Sequence, residues 1–294
     1  MKAAPFEYAR AGSLAEACAL LAQHGPDAKL IAGGQSLVPM MAMRLARPAW
    51  LVDINEATDL QHIAVDGDYV HVGGGVRQAR LERDAAIAAK LPLLPQALRW
   101  VGHAQTRNRG TPGGSMVHAD PSAEIPLVAV TLDAQLRLVS EAEETWMPAQ
   151  EFFLAPMVTA IAPDQCLAEL RFPVWRDARV GCAFQEVAIR HGDFALASAC
   201  AQVALDEAGR CTRAAIGVGG AGPVPVALTD VAGALIGSML DERVIADAAS
   251  AAAAGVEPEA DLHASAEYRR HLAQVLVAAA LRAAREAART GRAS

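Results

Sequence analysis

The sequence predicts an α+β protein, and three observations carry that prediction. Residues 62–72, HIAVDGDYVHV, alternate apolar and polar side chains around Asp66-Gly67-Asp68, the pattern of two strands joined by a tight turn. Residues 182–189, 195–206 and 212–219 read as three strands, separated only by His191-Gly192-Asp193 and Asp206-Glu207-Ala208-Gly209. Adjacent strands with such short turns form an antiparallel meander. From residue 228 onward the pattern is helical, so strands are followed by helices expected on one face of the sheet.

In chain order, Ser13-Leu14-Ala15-Glu16 reads as a capping box that opens a helix running to about His24, where Gly25-Pro26 stops it. Leu14, Cys18 and Leu21 form its expected buried stripe. A strand follows at 29–32, then Gly33-Gly34, and a second strand at 50–54 completes a small mixed unit. After the hairpin come Gly73-Gly74-Gly75 and an alanine-rich helical stretch, 77–90. Pro92 and Pro95 punctuate it before a second helical piece at 96–101, and 105–110 leads into another glycine stretch. A short helix from Glu124 precedes strands at 134–139 and 167–172. Proline and charge around 173–179 mark a boundary, giving domains 1–175 (lobes about 1–56 and 57–175) and 178–294. The tail reads as helices at 228–235, 241–253 and 265–289, with Ser265 a candidate cap outside any strict box.

Composition narrows the function. With 294 residues the chain is long enough for two domains, and 53% hydrophobic with 20% charged residues is an ordinary globular balance. A net charge of −7 argues against a nucleic-acid surface. No apolar run approaches the roughly 18 residues that span a bilayer, and MKAAPFEYAR lacks the apolar core of a secretory signal. The cytoplasm is therefore the expected compartment. Cys18, Cys166, Cys182, Cys200 and Cys211 are scattered, without the close spacing that iron–sulfur clusters or zinc require. They read as small buried hydrophobes.

The chemistry-bearing stretch is LIAGGQSLVPMMAMRL, 30–45, echoed at 110–124 by GTPGGS and MVHADPSAE. Glycines allow close backbone approach, and successive N–H groups in such turns make concave anion sites. Two of them in one chain point to one phosphate-bearing ligand clamped between them, with Gln35, Ser36 and Ser115 adding hydrogen bonds. Surface turns are also rich in glycine, which is the plainer meaning of either motif alone. Gly217 to Gly222, GVGGAG, satisfies the dinucleotide pattern, but Pro223 and Pro225 prevent the helix it requires, so it reads as a strand-ending turn. His118, Asp120 and Glu124 could be drawn as a metal set, yet only one histidine is local and Pro121 breaks any helix aligning them. Met40, Met41 and Met43 read as core filling before any ligand wall. His62 and His71 read as lying on a strand's wet face. Neither G-x-S-x-G nor H-E-x-x-H occurs.

AGGQSLVPMMAMRLARPAWLVDIN and TPGGSMVHADPSAEIP resemble the two flavin signatures of the FAD-carrying medium subunit of the xanthine dehydrogenase and carbon monoxide dehydrogenase family, the molybdenum-containing hydroxylases. The resemblance extends over essentially the full chain, with both motifs in order. It implies a two-lobed FAD-binding domain of the PCMH or vanillyl-alcohol-oxidase type, followed by a CO-dehydrogenase-flavoprotein-like domain. The diphosphate is expected between the lobes, on Ala32, Gly33, Gly34, Gln35, Ser36 and Leu37 and on Thr111, Pro112, Gly113, Gly114 and Ser115. Asp120 and Glu124 are carried over as acceptors for ribityl or ribose hydroxyls, and Leu167 as a backbone contact to the flavin. Phe194 stands where many relatives have tyrosine near the flavin ring; it can stack but lacks the hydroxyl.

With chemistry carried by FAD, no side chain is assigned catalysis. The resemblance further implies a large molybdopterin-containing partner and a small [2Fe-2S] partner, in a heterotrimer or its dimer. Electrons would run from those clusters through FAD to an outside acceptor (NAD, oxygen, quinone or cytochrome). The histidine in the second motif inclines the substrate toward an N-heterocycle. A self-sufficient FAD oxidoreductase and a flavin-free interaction module are the competing expectations. Valine at Gly33 or Gly114 is expected to abolish FAD retention with folding largely kept.

Overall fold

A computed structural model describes residues 2–291. The first lobe contains β1 (Glu7–Arg10), α1 (Leu14–His24), β2 (Ala28–Ile31), α2 (Leu37–Ala42) and β3 (Trp50–Asp53). Its three strands pair in parallel in the order β1-β3-β2. Ser13 Oγ accepts from Glu16 N at 3.2 Å, and Glu16 returns its carboxylate to Gly12 N at 2.8 Å, one residue before the position a strict capping box would use. Ala17, Cys18 and Leu21 are the buried stripe of α1, while Leu14 sits at its edge.

The second lobe opens with the expected hairpin, β4 (Ile63–Val65) and β5 (Tyr69–Gly73). Six helices follow: α3 (Gln78–Arg83), α4 (Ala85–Lys90), α5 (Leu93–Leu98), α6 (Ala104–Arg109), α7 (Pro112–His118) and α8 (Glu124–Thr131). The stretch expected as one helix over 77–90 breaks at Asp84, whose carboxylate accepts from Ala86 N and Ile87 N and so starts a new helix. The next helix begins earlier than its proline punctuation implies, because prolines are tolerated in a first turn. Residues 105–109 belong to a helix that Gly110 caps, and not to a lead-in loop.

Then come β6 (Gln135–Val139), β7 (Glu144–Pro148), α9 (Ala149–Phe152), β8 (Phe153–Ala155), β9 (Val158–Thr159) and β10 (Cys166–Pro173). The main sheet runs β4-β5-β10-β6-β7 with antiparallel neighbours. His62 and His71 are not left to solvent here. Both bond to the buried Glu169 carboxylate, at 3.0 and 2.6 Å, and His71 also meets Asp66 at 2.9 Å. Burial opposes protonation of His71, but those two carboxylates outweigh it and hold its pKa above the ordinary histidine value.

The last region is a meander of β11 (Val180–Ala188), β12 (Ala195–Leu205) and β13 (Cys211–Gly219), extended by a two-residue strand, β14 (Val226–Ala227). Helices α10 (Thr229–Gly233), α11 (Glu242–Ala254) and α12 (Ala266–Thr290) complete it. Gly181 lets α12 lie directly on the sheet, since a Cβ there would overlap the Ala284 carbonyl. The other sheet face meets α8, which is buried from Ile125 to Thr131. Gly217 makes that approach possible, and Thr131 Oγ1 accepts from Cys200 Sγ across the contact at 3.2 Å. Cys182, Phe184 and Cys200 thereby join the core of the second lobe, so the seam between the two domains is packed like an interior. Among the described residues, no helix is long and apolar enough to cross a membrane.

Candidate functional site

The first glycine motif links the end of β2 to α2. Gly34 takes a left-handed conformation, φ +69°, which turns the chain out of the strand. Gly33 is tightly buried, and a Cβ on it would overlap the carbonyl of Arg109 in the second lobe. Arg77 bonds the same Arg109 carbonyl and Asn55, tying the lobes together at this point. Its burial, reinforced by the neighbouring Arg109, lowers its pKa. Gln35 folds back to donate to Gly33 O at 3.0 Å. The N–H groups of Gly33, Gly34, Gln35, Ser36 and Leu37 have no acceptor among the described residues, and Ser36 Oγ is uncommitted. Successive unpaired N–H groups of this kind form a concave anion site.

The second motif is not a loop. Thr111 is the N-cap of α7, with Pro112 at its first position and Thr111 Oγ1 accepting from Gly114 N at 3.1 Å. Gly113 N donates to Gly74 O at 3.0 Å, and a Cβ on Gly113 would come within 2.7 Å of that oxygen. Gly74 is pinned in turn: a Cβ there would overlap the Leu167 carbonyl, and its N–H bonds Ala168 O at 2.8 Å. Gly74, the middle of the triple glycine after the hairpin, is therefore the backbone on which α7 rests, while Gly73 and Gly75 press against Leu60, roles the sequence alone did not disclose. Gly114 is exposed, and Ser115 Oγ makes no hydrogen bond among the described residues. This end of the site offers a hydroxyl and a helix N-terminus, with most of its own N–H groups already satisfied.

Beyond α7 the chain turns through Asp120, whose Oδ1 accepts from Ser122 N at 2.8 Å and whose second oxygen makes no hydrogen bond among the described residues. Glu124 opens α8 at the domain seam. Burial and the nearby Asp120 push its carboxyl up to about 7, against a lowering by its own backbone N–H and by Arg107. Leu167 is buried behind Gly74, and its carbonyl faces the glycines. Phe194 is 76% exposed, at the end of a turn closed by Arg190 and Asp193 at 3.1 Å and anchored by His191 stacking on Trp100. Of the three methionines, Met41 is core and Met43 is exposed. The fold thus brings Gly33–Leu37 and Thr111–Ser115 to the lobe junction at Arg109 and Gly74. Asp120 and Glu124 lie farther along, at the seam with the second domain.

Residues 4–175 match the family model for the FAD binding domain in molybdopterin dehydrogenase, and residues 182–284 match the CO dehydrogenase flavoprotein C-terminal domain. The chain is 40% identical over 277 residues to the alpha subunit of the 6-hydroxypseudooxynicotine dehydrogenase complex of Paenarthrobacter nicotinovorans, covering 94% of this chain and 93% of the relative. It is 34% identical to the carbon monoxide dehydrogenase medium chain of Hydrogenophaga pseudoflava, over 95% of this chain and 96% of that one. Among solved structures, quinoline 2-oxidoreductase from Pseudomonas putida 86 superposes with a TM-score of 0.93 at 35% identity, covering 98% of this chain and 99% of that chain.

Proposed function

The chain belongs to the FAD-binding medium subunits of the molybdenum hydroxylases, and on that basis we propose that it carries electrons between separate partner chains and an outside acceptor. In this reading a small subunit with [2Fe-2S] clusters delivers the electrons, and a large molybdopterin-containing subunit hydroxylates the substrate. The three assemble as a heterotrimer, alone or doubled. All five cysteines here are buried, which supports cluster ligation elsewhere.

FAD supplies the electron-transfer chemistry when bound. This chain's part is to hold it, orient it and control its surroundings. The row of unpartnered N–H groups from Gly33 to Leu37 carries the assignment of the diphosphate to this junction. It gives successive donors to an anion without a lysine, and Ser36 Oγ adds another. From the opposite side Ser115 Oγ and the start of α7 face the same charge, with Gly114 leaving room for it. Asp120 keeps one free carboxylate oxygen to accept from a sugar hydroxyl. Phe194, exposed on its turn, offers a ring face at the far end. The substrate class we favour is an N-heterocycle, a reading supported by relatives named for 6-hydroxypseudooxynicotine and quinoline.

The visible spectrum of the natively purified complex, with mass identification of copurifying chains, tests this. Flavin and iron–sulfur absorbance with one large and one small additional chain is the expected result. Flavin without partners would make the chain a self-sufficient oxidoreductase. No flavin, even after FAD is added, would leave only an interaction module.

A further inference from the structure

Glu186, on β11, is 7% exposed, and neither carboxyl oxygen has a hydrogen-bond partner among the described residues. Its neighbour across the ladder, Ser198, is fully buried, and Ser198 Oγ is equally without a partner. Buried polar atoms are nearly always satisfied, so two side by side indicate a missing binding partner. The face they share looks into the domain seam. Gly219, opposite Ser198, would carry a Cβ 2.8 Å from Ser198 Oγ and 3.6 Å from Pro121 O, in the turn just before α8.

The charged groups around this spot do not neutralise a Glu186 carboxylate. From α8, the titratable group acting on it is Glu124, another carboxyl, and Asp120 lies behind that. Arg107, on α6, reaches toward Glu124 but is committed to Glu82 at 2.8 Å and to the Val101 carbonyl at 3.1 Å. Arg190, beyond the end of β11, pairs with Asp193. On β12 the same face continues with Cys200 and Gln202, and α5 presents Gln96. Arg269, from α12, is bound to Asp261 and to the Leu196 and Gly220 carbonyls. With two carboxyls and every nearby arginine already committed, this spot offers a diphosphate no counter-charge.

We propose that Glu186, with Ser198 beside it, binds the polar edge of the flavin ring at the domain seam. This rests on the reading of the chain as an FAD subunit. That edge carries an imide N–H between carbonyl oxygens. A neutral carboxylic acid offers one O–H donor and one acceptor oxygen to match it, whereas a carboxylate offers acceptors only. Burial, then Glu124, raises the Glu186 pKa to about 8, so the acid form is present at neutral pH.

The test is FAD titration of the flavin-stripped full chain, followed by flavin fluorescence, for wild type, Glu186→Gln and Glu186→Ala. Wild-type affinity is expected to fall roughly tenfold between about pH 7 and 9, as the acid ionises. Glu186→Gln, which keeps a donor and an acceptor in nearly the same shape, should retain neutral-pH affinity and lose most of that fall. Glu186→Ala should bind roughly tenfold more weakly than wild type at neutral pH. The absorption bands of its bound flavin should also shift, which a change in folding alone would not produce. Wild-type FAD uptake unchanged by either substitution, with the same pH profile in all three, would overturn this inference and leave water in the seam. A wild-type chain that takes up no FAD at any pH would instead overturn the flavin reading on which it rests.

Discussion

Gly33-Gly34 and Gly113-Gly114 share a sequence pattern but sit in different local structures. The first pair leaves a strand and keeps a run of N–H groups unpartnered among the described residues; the second opens a capped helix whose N–H groups are mostly satisfied within the chain. Yet the division of labour inside each pair is the same. Its first glycine presses against protein backbone, Arg109 for Gly33 and Gly74 for Gly113. Its second meets side chains only: Gly34, with a left-handed φ, has the Val38 and Ile31 side chains at 3.1 Å and beyond from its missing Cβ, and Gly114 has only Thr111 Oγ1. The lesson is that the first glycine of each pair is fixed by protein backbone, holding lobes and helices together, while the second is bounded by side chains alone.

The sharpest way to break this comparison is valine at a first glycine. Gly33→Val must push Arg109 away and separate the lobes, and should destabilise by about 3 kcal/mol or more, measured as a lower urea midpoint. That differs from the expectation that either valine variant would spare the fold, because the close approach at Gly33 is to protein and not to ligand. Gly113→Val, which also displaces a backbone hydrogen bond to Gly74, should behave alike.

The seam beyond the second motif has no counterpart beyond the first, and pH separates them. Glu124 and Glu186, pushed up to about 7 and about 8 mainly by burial, bind protons more tightly folded than unfolded. Their folded-state contribution is therefore fully present below the unfolded carboxyl pKa. It is lost as pH rises toward 7 to 8, where both finally ionise. Glu186→Gln should remove most of that loss, leaving the variant on the order of 2 kcal/mol more stable than wild type near pH 8, read from paired denaturant curves.

Smaller effects are expected at the second glycine and its cap. Thr111→Ala removes the cap of α7 and should cost about 1 kcal/mol. Gly114→Val crowds only Thr111 Oγ1, so its stability loss should be of that same size, roughly 1 kcal/mol, while FAD retention falls much further. Equal losses of stability in Gly33→Val and Gly114→Val would erase the distinction drawn here.

Much of this was legible in the sequence. The hairpin at 62–72, the meander and the three terminal helices announce themselves through alternation, short turns and caps, all local signals. Both glycine motifs could be located, but not their partners: that Gly113 needs Gly74, or Gly33 needs Arg109, depends on contacts between residues far apart in the chain. The helical state of 112–118 was hidden because two glycines mask a helix start that Thr111 and Pro112 in fact encode. Glu186 was missed for a related reason. A glutamate between Gln185 and Val187 in a strand reads as a solvent-facing residue until the second domain is packed against α8. His62 and His71 fell in the same class, since their partner Glu169 lies about a hundred residues downstream.

The central claim, that the Gly33–Leu37 N–H row holds a diphosphate, is tested most directly by comparing FAD with riboflavin, which lacks it. The measurement is the dissociation constant of each for the flavin-stripped chain, with inorganic pyrophosphate as competitor. FAD should bind at least about a hundredfold more tightly, a difference of roughly 3 kcal/mol, and pyrophosphate should weaken FAD while leaving riboflavin unaffected. Equal affinities for the two flavins, with no effect of pyrophosphate, would contradict the account.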